Sequence, residues 1–338
     1  MRCLIFCYIF AGLLGCSKKK NAPVDSFEVF DSQKPARPEL EVYEEVGYWE
    51  QENRVKTNNK QAQLTSASVN VRRGLKGHFV ILESKVSAGK EEKYNLIVKY
   101  YNDLVEVNNY ECVWFQDDGL VQGFTGSWES ERARMTWQLN FPKKLPKSKF
   151  SMEEIYPKYG ERIFKFKIEE GGKLISGESK AVYMGEGFRR PKKRYPKIEL
   201  SRLGSEGYWN DYETVRFSGE TIELKGQSRQ RFSSSGLCMI SEGVKYTEGA
   251  PEYYMWVKTW DSEQKIYRMA RFFESGPAHH YVGDWLAPLK TIKWVSVEPP
   301  GAIEIMERLE QSSKRSWTYT VWDGNKTNTG KGVSNFVK

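Results

Sequence analysis

Short runs of aromatic and branched residues, each closed by glycine, proline, serine or charge, recur along most of the chain. They are plainest in the second half, where "YYMWVKTWD" (253–261) and "KIYRMARFFES" (265–275) flank "SEQ", the mark of a β-hairpin. "HHYVGDWLA" from His279, "KTIKWVSVE" from Lys290, "GAIEIMERLE" from Gly301 and "RSWTYTVWD" from Arg315 follow at regular intervals. Upstream, "TVRFS", "TIELKG", "SRQRF" and "GLCMISEGVKY" add further candidate strands. No segment sustains the i, i+3, i+4, i+7 spacing of an amphipathic helix over three turns, so the pattern predicts a nearly all-β chain. A single helical turn is expected around Met152 to Ile155. Two stripes stand out: Tyr254, Trp256 and Trp260 share one strand face, and Trp317, Tyr319 and Val321 share another. Such stripes either line an apolar ligand cavity or fill an interior with side chains.

The pattern is duplicated. Gly47-Tyr48-Trp49 recurs as Gly207-Tyr208-Trp209, 160 positions on. "LIVKYYND" from Leu96 matches "MWVKTWDS" from Met255 at an offset of 159. At a constant offset of 157, Gly126, Trp128 and Trp137 match Gly283, Trp285 and Trp294. Farther on, "AVYMGE" from Ala181 aligns with "TVWDGN" from Thr320 at 139, which gives the first copy 18 extra residues (157 minus 139), expected between Pro142 and Gly160. Eight or more consecutive strands per copy favour an antiparallel meander that closes on itself, since closure removes exposed edges.

A Gly-x-Trp at the first strand, followed by such a meander, resembles the lipocalin and fatty-acid-binding calycins. In lipocalins that tryptophan closes one end of the barrel and an arginine near the last strand packs across it. The resemblance assigns the first role to Trp49 and Trp209 and the second to Arg315 in copy two. The counterpart in copy one is expected near Ile175 or Ser176, where there is no arginine. Copy two is also similar to a bacterial calycin-like family of unknown function marked by Gly-x-Trp and a mid-domain Tyr-x-Gly-x-Trp, here Tyr281, Gly283 and Trp285. Gly47, Trp49, Gly126, Trp128, Gly207, Trp209, Gly283 and Trp285 are thus structural markers, and the fold class expected is all-β, two tandem antiparallel lipocalin-like β-barrels.

The amino terminus "MRCLIFCYIFAGLLGCSKKK" has one early charge and an apolar run too short to span a bilayer, the anatomy of a signal peptide. Its end, Leu13-Leu14-Gly15-Cys16, resembles the lipobox of bacterial lipoproteins, which implies a diacylated Cys16 and, with Ser17 following, an outer-membrane destination. The expected map is a signal peptide over 1–15, a lipidated, flexible tether over 16–40, a first domain over 41–186, a basic linker over 187–200 and a second domain over 201–338. Cys112 and Cys238 remain in the mature chain and read as two separate buried thiols.

Chemistry is sparse. Three histidines, His78, His279 and His280, accompany no Gly-x-Ser-x-Gly elbow, His-Glu-x-x-His helix, Cys-x-x-Cys pair or Walker loop. No catalytic residue, metal site or cofactor is expected. His279 and His280 point to opposite strand faces and read as partly exposed residues beside a turn. "DGNKTNTG" from Asp323 reads as a terminal turn rather than a Ca²⁺ loop, since it lacks a closing glutamate. With 17 Phe, 11 Trp and 19 Tyr the chain folds, and its net charge of +8 admits anionic envelope partners. Nucleic acid is not expected as a partner. The functional expectation is an envelope lipoprotein that binds a hydrophobic or amphiphilic small molecule without catalysis, with Tyr254, Trp256, Trp260, Trp317 and Tyr319 lining the site. The alternative is a module with filled barrels that binds glycan, anionic envelope polymer or protein through loops and the basic linker.

Overall fold

The computed structural model describes residues 30–43, 46–58, 60–105, 109–142, 149–186, 194–217, 219–246, 251–274, 276–298, 300–324 and 326–337. The expected signal peptide, Cys16 and the first half of the linker, 187–193, lie outside these residues. The chain divides into two compact units, Asp31–Arg194 and a second that joins Tyr195–Lys338 to Phe30.

In the first unit a two-residue strand, β1 (Asp31–Ser32), precedes a ten-strand meander: β2 (Gly47–Thr57), β3 (Gln63–Gly74), β4 (Phe79–Ala88), β5 (Glu91–Tyr101), β6 (Tyr110–Gln116), β7 (Val121–Glu129), β8 (Arg134–Phe141), β9 (Lys149–Lys158), β10 (Glu161–Glu170) and β11 (Lys173–Gly185). Each strand pairs antiparallel with the next, and β11 returns to β2, so the sheet closes. The second unit repeats this with β12 (Gly207–Phe217), β13 (Glu220–Phe232), β14 (Cys238–Tyr246), β15 (Pro251–Asp261), β16 (Ile266–Phe273), β17 (His279–Leu286), β18 (Thr291–Glu298), β19 (Pro300–Gln311), β20 (Lys314–Asp323) and β21 (Lys326–Phe336). It too is a closed barrel. The protein is therefore all-β, two tandem ten-stranded antiparallel barrels built on an internal repeat. Closure leaves no long unpaired edge to template association.

Equivalent strands correct the alignment of the two copies. Trp49 pairs across the seam with Tyr183 of β11, and Trp209 pairs with Phe336 of β21. The last strands therefore correspond at an offset of 153 (336 minus 183). Matching "AVYMGE" to "TVWDGN" had laid a tenth strand on a ninth. The excess in the first copy is 4 residues (157 minus 153), and it falls in the connection from β8 to β9. The helical turn expected at Met152–Ile155 is part of strand β9, paired with β8 and β10. The terminal turn at Asp323 is real but short, and β21 follows it at once. That strand escaped notice because its inward residues, Asn328, Gly330, Gly332 and Ser334, carry no apolar signal.

Order also begins earlier than the expected boundary at residue 41. A 3-10 turn over Pro38–Tyr43 buries Leu40 and Tyr43 in the core of the first barrel, and Arg73 donates to the carbonyls of Leu40 and Tyr43. Part of the expected tether is thus a folded plug. In the second unit a single helical turn, Ile198–Ser201, plays the matching part: Leu200 and Leu203 enter the core and Tyr267 donates to the Glu199 carbonyl.

Candidate functional site

Both barrels share a cap and a buried ion pair. Trp209 is wholly buried, and the Arg315 guanidinium lies 4.8 Å from its ring. In the first barrel Arg162 stands 5.2 Å from the ring of Trp49. Arg162 and Arg315 are both on the ninth strand, at the offset of 153, so Arg162 is the counterpart sought in vain near Ile175. Gly47 and Gly207 hold φ of 148° and 146°, a region L side chains rarely adopt, which explains the glycine of each Gly-x-Trp.

Below the cap, Lys99 reaches both carboxylate oxygens of Glu154 at 2.6 Å, and Lys258 reaches those of Glu307 at 2.7 and 2.6 Å. In each barrel a tryptophan indole N–H turns to the same carboxylate: Trp137 to Glu154 at 3.4 Å and Trp294 to Glu307 at 3.1 Å. Burial alone would raise both carboxyls, yet the facing ammonium holds them below the usual range. Gly126 and Gly283 seat these tryptophans, since a Cβ would come within 2.7 Å of Trp137 and 2.5 Å of Trp294. The mid-domain motif is therefore a seat for the ring that carries the ion pair. Trp128 meets Tyr156 edge-on at 5.8 Å, and Trp285 packs at the margin of the second core. Sequence reading missed Glu154 and Glu307 because the wrong offset kept them apart, although Lys99 and Lys258 already lay in register.

The interiors differ elsewhere. Tyr43, Trp49, Val71, Val80 and Leu82 leave about 20 Å³ in the first barrel. In the second, Tyr254, Trp256, Trp317 and Tyr319 converge on a cavity of about 50 Å³. Trp260 does not reach it and instead packs on Tyr267, ring centroids 4.7 Å apart. The cavity is not purely apolar. Lys245 bonds Glu213 at 2.6 Å, and Tyr319 donates to the same carboxylate at 2.7 Å. Arg315 donates to Gln230 at 2.6 Å and Ser228 at 3.1 Å, with Asp211 at 3.9 Å. Asp211 also accepts from Tyr254 and Ser334. Gly330 and Gly332 lie flat beneath Tyr319 and Trp317, where any Cβ would come within 2.2 Å.

Both histidines are buried, not partly exposed: each residue is 4 % accessible. Burial lowers His279 to about 4 and His280 to about 3, so both are neutral at pH 7. Cys112 and Cys238 are buried thiols that are not joined to one another. Among the described residues no group of three or more His, Cys, Asp or Glu is placed to hold a metal, and no helix is long and apolar enough to cross a membrane.

Fold and site together define a class: a tandem-barrel protein whose interiors share a buried ion pair and whose second barrel also holds a polar, aromatic-lined cavity. No protein-family model matches the chain, and no curated protein matches it. Among solved structures it is similar to a protein of unknown function of the DUF3598 family from Nostoc punctiforme, at 12% identity over 89% of this chain and 100% of that one, with a TM-score of 0.26. The KdgM porin (6% identity, 86% of this chain, 99% of that one, TM-score 0.15) and Omp33 of Acinetobacter baumannii (6%, 86%, 98%, 0.15) are also similar. At such scores these likenesses carry no argument about this chain.

Proposed function

We propose that the chain is a noncatalytic envelope lipoprotein whose second barrel binds a small amphiphilic molecule, the first barrel serving as a filled scaffold. The observation that carries this is the contrast of interiors: about 50 Å³ under four convergent aromatic rings, against about 20 Å³ in the first barrel. At roughly 10–15 Å³ per water, the larger space admits about three to five waters or a ligand of a few heavy atoms, not a long acyl chain. Its mixed lining, rings above and hydrogen-bonded charges below, suits a molecule with an apolar body and a polar head. The lipobox-like Leu13-Leu14-Gly15-Cys16 supports a lipid anchor. Charged residues on the outer face of β2, Glu50, Glu52, Arg54 and Lys56, would not face lipid, which favours anchoring over insertion of the barrel wall.

The test is native mass spectrometry of the mature chain released gently from its host, with the amino-terminal peptide sequenced in parallel. A discrete small adduct lost on Trp256→Ala, and a diacylated Cys16, are expected. A clean apo mass with unmodified Cys16 would overturn both halves. A second reading draws on an open groove of about 850 Å³ on the second barrel, where Lys225, Arg308 and Lys331 line the wall beside Tyr212. Glu223 also lines the groove, and the net excess of cations suits an anionic envelope polymer. Triple replacement of those cations by glutamine is expected to abolish retention on anionic envelope material if this reading holds.

A further inference from the structure

The geometry points to an acidic glycan chain, its charged sugars alternating with neutral ones, as the occupant of the open groove on the outer wall of the second barrel. This rests on the reading of that groove as a surface for anionic polymer and adds the class of the polymer and its charge repeat.

The groove, about 850 Å³, crosses five neighbouring strands in the order β19, β20, β21, β12 and β13. Cross-strand register sets its floor in two outward-facing rows. Arg308, Ser316, Val333, Tyr212 and Lys225 form one, and Met306, Thr318, Lys331, Thr214 and Glu223 form the other. The cations therefore fall on every second strand: Arg308 on β19, Lys331 on β21 and Lys225 on β13. With strands about 4.8 Å apart, the three charges follow one another at intervals of about 10 Å, close to the advance of two linked sugar rings. Between the first two cations, Ser316 and Thr318 offer hydroxyls. Between the last two, the exposed ring of Tyr212 offers a flat apolar platform for the C–H face of a neutral sugar.

The three cations form no ion pair among the described residues. Glu310, on the same strand as Arg308, is held by Lys314 at 2.9 Å. Glu213 also borders the groove, but its carboxylate turns inward to Lys245 at 2.6 Å. Only Glu223 opposes the cations, and it stands at one end.

The repeat supplies an internal control. On the same wall of the first barrel the rows read Ile155, Ile163, Lys180, Glu52 and Ser66, then Glu153, Lys165, Glu178, Arg54 and Leu64. There three cations meet three carboxylates, and Lys165 and Lys180 lie 4.0 and 3.9 Å from Glu153 and Glu178. The second barrel has Tyr212 where the first has Glu52, Met306 where it has Glu153 and Lys331 where it has Glu178. All three carboxylates are gone, and the wall changes from balanced to cationic. An anionic peptide would need a free strand edge to pair its main chain, and closure leaves none here. A membrane face would touch only the rims of a trough. A chain that presents hydroxyls, flat C–H faces and spaced carboxylates meets the whole floor.

The experiment titrates the full mature chain, by calorimetry, with hyaluronan hexasaccharide, which carries a carboxylate on every second sugar. The comparison probes are the same oligosaccharide with its carboxyls reduced to alcohols, an alginate hexasaccharide charged on every sugar, hexaglutamate, and phosphatidylglycerol vesicles. Hyaluronan is expected to bind at least about tenfold more tightly than any of them. Lys331→Gln should weaken it about two- to fivefold and Tyr212→Ala about three- to tenfold, while Lys165→Gln on the first barrel leaves it unchanged. The probe comparison stands on wild-type protein even if a variant fails to fold. Alginate binding as tightly as hyaluronan would overturn the alternating repeat. Hexaglutamate or vesicles binding as tightly would overturn the glycan assignment while leaving an anion-binding groove. Binding of none of the probes, or an equal loss with Lys165→Gln, would overturn the groove reading itself.

Discussion

The two barrels have the same strands, the same cap and the same buried Lys–Glu–Trp cluster, yet opposite interiors. Cross-strand register lets them be compared position by position. Where the first barrel places Val69, Val71 and Leu82, the second places Ser228, Gln230 and Ser241. Gln51 and Asn53 of β2 become Asp211 and Glu213 of β12, and Trp114 becomes Arg271. One copy keeps aliphatic groups that close on one another. The other spends the same volume on groups that must be hydrogen-bonded, and small serines leave space beside them. What the copies share is therefore scaffold, and what separates them is the best guide to function.

The largest test of the shared scaffold is the ion pair. Glu154→Gln and Glu307→Gln each strand a buried ammonium, and each is expected to cost about 3–5 kcal/mol. Urea unfolding of the full chain, with hydrogen exchange followed separately in each barrel, measures this. Replacing both partners, as in Lys99→Met with Glu154→Leu, should recover most of the loss. Should the single variants stay within about 1 kcal/mol of wild type, the cluster is not structural in the sense argued. In both barrels the carboxyl is held low when folded, so its stabilisation is present above the ordinary carboxylate range and is lost as pH falls below it.

Mild acid should separate the barrels. His279 and His280 are held near 4 and 3 in the second, and His78 near 4 in the first, each lowered mainly by burial. The unfolded chain protonates them near 6.5, so stability is whole above that pH and declines toward the folded values. The ceiling is about 1.4 kcal/mol per pH unit per histidine, and in the first barrel the loss from His78 is opposed by Glu111, which burial raises to about 8, so the decline is steeper in the second barrel. Exchange rates at pH 7 and pH 5 measure it, and equal slopes would count against two buried neutral imidazoles.

The glycine seats come next. Gly126→Ala and Gly283→Ala push a methyl against Trp137 and Trp294, with an expected cost of about 1–3 kcal/mol each. Thermal unfolding with near-ultraviolet dichroism measures the ring displacement directly. A neutral result at both positions would show that the tryptophans have slack, and the Lys–Glu pair would lose its lid.

Much of this was legible in residues. Strand content, duplication and closure followed from aromatic runs and matched tryptophans, and four of five proposed lining residues do meet in the cavity. Trp260 could not be sorted from Trp256 without the twist that carries the strand end past the void. The last strand was illegible because its partners hold the aromatic side of each pair, leaving Gly330 and Gly332 with no pattern of their own. That omission shifted the alignment by one strand, and the shift concealed Arg162 and Glu154. The histidines misled because a turn nearby suggests exposure, whereas His279 faces Phe273 at 5.6 Å inside the fold.

The smallest expected effect is at the caps. Arg162 lies over the Trp49 ring and helps hold the buried Glu154 carboxyl low, so Arg162→Met should cost at least about 0.5–2 kcal/mol, the range of a cation over an aromatic ring. Arg315 covers Trp209 in the same way but also donates to Gln230 and Ser228, groups that replaced the valines of the first barrel. Arg315→Met must therefore cost more than Arg162→Met, because it leaves buried polar atoms without their donor as well as exposing a ring. Paired urea midpoints decide the matter. If the two losses are equal, the polar layer of the second barrel does not depend on its cap, and the cavity must be held open by Asp211, Tyr254 and Ser334 alone.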